Sequence, residues 1–215
     1  MTAQISLNPM ATTNAGGLFT TNTAGYTQGD AQDDPAIRFA LAGGVLSTAA
    51  TTPIWGGIPI EELVPTAQVG AQGQVQPGTD VIGSSILQAV SLATSTGICV
   101  FNQAFAGITT PQSTVPLYSP GMSVNFYRFG SGARIPLRLD PALVSLEGEI
   151  INTQLTWDFT ANWLTTFDST NAFPVKVLRV STTGNKSVSY SSDTGNANWI
   201  TTEIMALCLL SGHSD

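Results

Sequence analysis

Side chains able to do chemistry are scarce in this chain, and their spacing argues against each common reaction. His213 is the single histidine and lies close to the chain end, where residues fray. A Ser-His-Asp or Cys-His arrangement needs an imidazole held beside its nucleophile, which such a position does not supply. A structural zinc site needs four Cys or His ligands, and one histidine plus two cysteines fall short. Cys99 and Cys208 sit in the apolar runs GICVF and ALCLL and read as small buried hydrophobes. Their positions alone leave open whether they are bonded.

Carboxylates offer two further options. Glu147 and Glu149 are two apart and Glu61 and Glu62 are adjacent. A glycosidase needs two carboxylates flanking a cleft, one with a raised pKa, and same-face or neighbouring pairs fit an exposed surface better. Asp30, Asp33 and Asp34 carry the oxygen ligands that suit calcium, without the glycine and distal glutamate of an EF-hand. The string GNKS at 184–187 looks like part of a phosphate loop, but position 179 is Arg where a glycine is required, so a turn between strands is expected. Asn185 also begins a glycosylation sequon, which matters only on secretion. The reading is therefore a protein that is not an enzyme, with no cofactor and no metal.

Composition points the same way. Charged residues make up 10% of the 215, while 42% are hydrophobic. That much apolar side chain folds, and the low charge leaves a surface of Ser, Thr, Asn and Gln. The net charge of −7 excludes the basic field that a general nucleic-acid binder needs. No apolar run reaches the roughly 18 residues of a membrane helix. The opening MTAQISLNPM has no basic or apolar region of the signal-peptide kind, so none is expected.

The elements that must position these residues read as strands. Between 151 and 160, Ile151, Thr153, Leu155, Trp157 and Phe159 alternate with Asn152, Gln154, Thr156, Asp158 and Thr160. A period of two marks a strand with one buried face. This strand is expected to be central, with Leu155, Trp157 and Phe159 sharing a core with Val177 and Leu207. Residues 37–46 read as strand, Gly-Gly turn, strand. SVNFYRF and RIPLRL, joined by GSG, read as a hairpin. Residues 85–94 lean to a strand, 97–105 is β, and FPVKVLRV, SVSYS and ITTEIMALCLL close the chain. Residues 65–80 and 106–121 are long surface loops. The expected fold is all-β, a barrel or sandwich of about eight or more short strands. Residues 1–29 carry no charged side chain, and residues 1–34 are expected to be an extended arm ahead of a β-rich domain over 35–215.

Two stretches carry a resemblance. DDPAIRFALAGGVLSTAATTPIWGGIPIEEL, residues 33–63, resembles the opening of tailed-bacteriophage capsid cement or decoration proteins. VKVLRVSTTGNKSVSYSSDTGNANWITTEIMALCLL, residues 175–210, resembles their closing hairpins. Together they span about a third of the chain, and the matching motifs are architectural rather than catalytic. The resemblance implies a virion protein on the outer surface of the capsid, made in the host bacterial cytoplasm. It would bridge major capsid protein subunits and act as a homo-dimer or homo-trimer, with no nucleic acid or membrane partner. On that basis the contact surface is expected to include Phe19 and Tyr26 of the arm, and Arg128, Arg134 and Arg138. A second reading is a carbohydrate- or receptor-binding β module, with Trp55, Trp163 or Trp199 as exposed stacking platforms.

Overall fold

The computed structural model describes residues 25–31, 37–63, 84–101, 115–146, 154–169 and 172–212. Five strands close into a barrel in the order β1 (Leu41–Leu46), β3 (Ser84–Gln88), β2 (Pro59–Leu63), β4 (Gly97–Cys99), β5 (Ser123–Arg128). The β1–β3 contact is parallel and the others are antiparallel. A second, five-stranded sheet runs β7 (Leu155–Asp158), β8 (Trp163–Thr166), β6 (Arg134–Leu139), β12 (Ile204–Leu210), β9 (Val175–Ser181). A hairpin of β10 (Ser187–Ser191) and β11 (Asn196–Ile200) completes the fold, which is all-β. Among the described residues no helix is long and apolar enough to cross a membrane.

The two bodies share a wall because β4 and β5 alternate. Cys99, Val124 and Phe126 belong to the barrel core, while Ile98 and Tyr127 on the opposite faces join the core of the second sheet. That second core gathers Ile135, Leu137 and Leu139 of β6, Leu155 and Trp157 of β7, and Ala206, Cys208 and Leu210 of β12. The β10–β11 hairpin lays Val188 and Ala197 on the barrel core together with Trp55. Both cysteines are free and fully buried, and burial pushes both thiols well above their ordinary range.

Several expectations are corrected by the pairing. Gly43 and Gly44 make no turn: β1 runs straight through them, paired with β5 on one side and β3 on the other. Ladders on both sides hold a strand that its glycines alone would weaken. SVNFYRF and RIPLRL do not form a hairpin. β5 stays in the barrel, whereas β6 pairs with β12 and β8 in the other sheet. GSG is the crossover between them. Gly130 and Gly132 take φ of 82° and 74°, and their N–H groups donate to Ser211 and Leu210 carbonyls at 2.9 and 3.0 Å.

The alternating stretch is shorter and more peripheral than its pattern implies. Leu155 and Trp157 are buried in the core with Val177 as expected, but β7 is an edge strand of its sheet. Phe159 has left the strand for the turn to β8 and packs against the core only in part. Leu207 is half-buried and absent from that core, whose β12 face is Ile204, Ala206, Cys208 and Leu210. The inward residues keep a period of two, which puts Leu207 on the opposite face, and the register shift between Leu207 and Cys208 leaves its extra residue, Leu178, on β9. Asn152, Glu147 and Glu149 lie outside the described residues, as do the loops at 65–80 and most of 106–121.

Candidate functional site

The residues expected to make contact fall into three places. Phe19 lies outside the described residues. Tyr26 belongs to a strap, residues 25–31, built into the body. Its N–H donates to Asn185 Oδ1 at 2.9 Å, and its carbonyl accepts from the Lys186 N–H at 2.7 Å. Gln28 N–H then donates to the Lys186 carbonyl at 2.8 Å, and Gly29 N–H to the Pro136 carbonyl at 2.8 Å. The Gly29 carbonyl accepts from Phe101 N–H at 2.8 Å. The strap therefore ties the start of β10, the second sheet and the end of the barrel strand region together. Residues 25–31 of the expected arm are part of the folded body.

Asn185 is the other half of that lock. It is fully buried, and its Nδ2 donates to the Ser181 and Glu203 carbonyls at 2.7 and 3.0 Å. Every polar atom of the amide is engaged, so the sequon asparagine is structural.

Arg128 and Arg138 each form an ion pair with a carboxylate of this chain. Arg128 grips Glu62 with two hydrogen bonds, 2.7 Å from Nε and 2.6 Å from Nη2, and lies 5.5 Å from the Phe126 ring centroid. The Glu62 bond raises the Arg128 pKa further, so it stays a cation at any working pH. Arg138 grips Glu203 in the same fork, at 3.1 and 2.9 Å, and stacks 4.8 Å over Trp163. Arg134 is exposed at the start of β6.

The two forks differ in worth. The Arg128 side chain is 55% exposed, a setting in which an ion pair contributes about 1 kcal/mol or less. The Arg138 and Glu203 side chains are only 18% and 14% exposed. Truncating Arg138 leaves a largely buried carboxylate unpaired and uncovers Trp163, so Arg138→Ala is expected to cost about 3 kcal/mol. Arg128→Ala should change stability by about 1 kcal/mol or less. Urea unfolding of both variants measures the contrast, and equal losses would refute it.

The three tryptophans are not exposed platforms. Trp55 is nine-tenths buried, Trp163 lies under Arg138, and Trp199 is half-buried against the barrel core. What is exposed was not marked in the sequence. Phe39, on a short 3-10 turn ahead of β1, is 95% exposed, and Val90 and Val144 are largely open as well. The alternation through Ile37, Phe39 and Leu41 reads as one buried strand face, so no local signal gave Phe39 away. Among the described residues no three of His, Cys, Asp and Glu come together in a way that would hold a metal ion. No family model, curated protein or solved structure matches the chain.

Proposed function

We propose that this chain is a virion structural protein that binds the outer surface of a tailed-phage head and bridges major capsid subunits. The observation that carries the reading is Phe39, an almost wholly exposed phenylalanine within the stretch that resembles decoration proteins. Left in water, such a ring forgoes the stabilisation of burial, on the order of 2 kcal/mol, which a partner surface would recover. Residues 1–24 are the second contact in this reading. They carry no charged side chain and join the body at a strap fixed to both sheets. Repeated copies on a symmetric shell, as dimers or trimers, would let modest contacts sum by avidity.

The test is co-sedimentation of the full-length chain with undecorated, expanded heads. Phe39→Ser is expected to weaken binding about thirtyfold, the scale of a single interface anchor. Deleting residues 1–24 is expected to abolish binding while leaving the circular dichroism spectrum unchanged. If both variants decorate heads with undiminished affinity, the contact assignment is wrong, and if the parent chain does not bind heads at all, so is the function.

A further inference from the structure

A polar crevice of about 350 Å³ opens where the strap, the barrel, the β7–β8 turn and the β10–β11 hairpin meet. Its size is at the small end of ligand pockets, which span roughly 300–1,000 Å³. Six side chains define its chemistry: Gln28, Trp55, Arg138, Asn162, Ser189 and Tyr190. Gln28 is 2% exposed, and its Oε1 accepts the Val188 N–H at 3.3 Å. A buried donor without an acceptor is uncommon in a folded protein and marks a place where something else accepts. The Trp55 indole N–H is such a donor, with no acceptor among the described residues.

The remaining wall is pre-set. Glu203 holds Nε and Nη2 of Arg138, while Nη1 makes only a 3.5 Å contact with the Ala161 carbonyl. That guanidinium is fixed and its charge is balanced. Asn162 sits at φ 57°, held by its N–H to the Asp158 carbonyl at 2.8 Å, with Oδ1 accepting from Gln88 at 3.3 Å. Tyr190 and Trp55 form the aromatic side, with centroids 6.1 Å apart and planes tilted 41°. The crevice thus offers neutral donors, hydroxyls and ring faces, and no net charge.

We infer that this crevice is a binding site for a neutral saccharide unit. A pyranose presents acceptor oxygens at its rim for the Gln28, Arg138 and Asn162 groups, and an apolar face for the aromatic rings. A charged ligand would find no uncompensated partner in a chain of net charge −7. The inference does not depend on the capsid reading, and its test involves no capsid.

Saturation-transfer difference NMR on the full-length chain uses glucose, galactose, mannose, N-acetylglucosamine and their acidic counterpart glucuronate. Transfer to at least one neutral sugar, and none to glucuronate, is expected. Asn162→Gly suits the left-handed backbone while removing the amide, and Ser189→Phe fills the crevice. Each should weaken the bound sugar at least tenfold with the melting temperature held near that of the parent. No transfer from any neutral sugar overturns the inference. So does preference for glucuronate, or affinity that survives both substitutions.

Discussion

Gly29→Ala is expected to cost about 4 kcal/mol and lower the melting temperature by roughly 8–16 °C. Gly29 has φ of 72°, and a Cβ built there would lie 2.1 Å from the Gly56 carbonyl carbon and 2.3 Å from Gly57 N. The left-handed backbone alone accounts for about 1–2 kcal/mol in a residue with a Cβ. The collision adds the rest. Its partner is backbone, so no side-chain rotation relieves it, and overpacking of this kind costs about 1–3 kcal/mol. Movement would pull Gly29 N–H from Pro136 and its carbonyl from Phe101, opening the strap from both bodies. Gly121→Ala supplies the comparison. It has φ of 85° with nothing within 4 Å of the added Cβ, so it should lose only about 1–2 kcal/mol. Calorimetry on the two variants separates the effects. Equal losses would mean that the strap does not press on Gly56.

The strap also shows where reading the residues in order ran out. Alternation placed Leu155 and Trp157 in the core because that signal is local, but no such signal marked Asn196–Ile200 as the strand that pairs with SVSYS. The strap is held by partners far away in sequence: Tyr26 bonds Asn185 across 159 residues, and Gln28 bonds Val188 across 160. An uncharged, Thr- and Gly-rich stretch gives no sign of such partners. Gly130 and Gly132 were readable as a turn but not as a crossover, since a hairpin and a change of sheet ask the same of a glycine. Arg128 and Arg138 show the same limit. Their clustering in sequence looked like one contact patch, yet each closes on a carboxylate some 65 residues away, Arg128 within the barrel and Arg138 at the second sheet. For the proposed contact surface the sequence supplied the uncharged arm and the structure supplied Phe39. The crevice was invisible beforehand because its walls come from 28, 55, 138, 162 and 189–190.

Asp30→Asn is expected to stabilise the chain at pH 8 and to do almost nothing at pH 4. Asp30 ends the strap, bridged to Phe101, and burial raises its pKa from 3.8 to about 7. Its folded value is above its unfolded value, so the native state binds the proton more tightly. Between pH 4 and 7 the unfolded chain is ionised while the native chain is not, and stability falls as pH rises through that window. Above pH 7 the full penalty stands. A rise of some three units corresponds to about 4 kcal/mol, an upper bound because the side chain keeps some contact with water. Asparagine mimics the protonated acid at every pH. The difference in unfolding free energy between variant and parent should therefore be near zero at pH 4, grow towards pH 7 and level off above it. Urea titrations at five or six pH values across that range read it directly. A difference that stays flat would show that the Asp30 carboxylate is solvated in the folded chain. If the difference follows the expected curve, the strap at the root of residues 1–24 is weaker in alkaline than in acidic solution. Capsid binding through those residues would then carry the same pH dependence in the parent and lose it in Asp30→Asn.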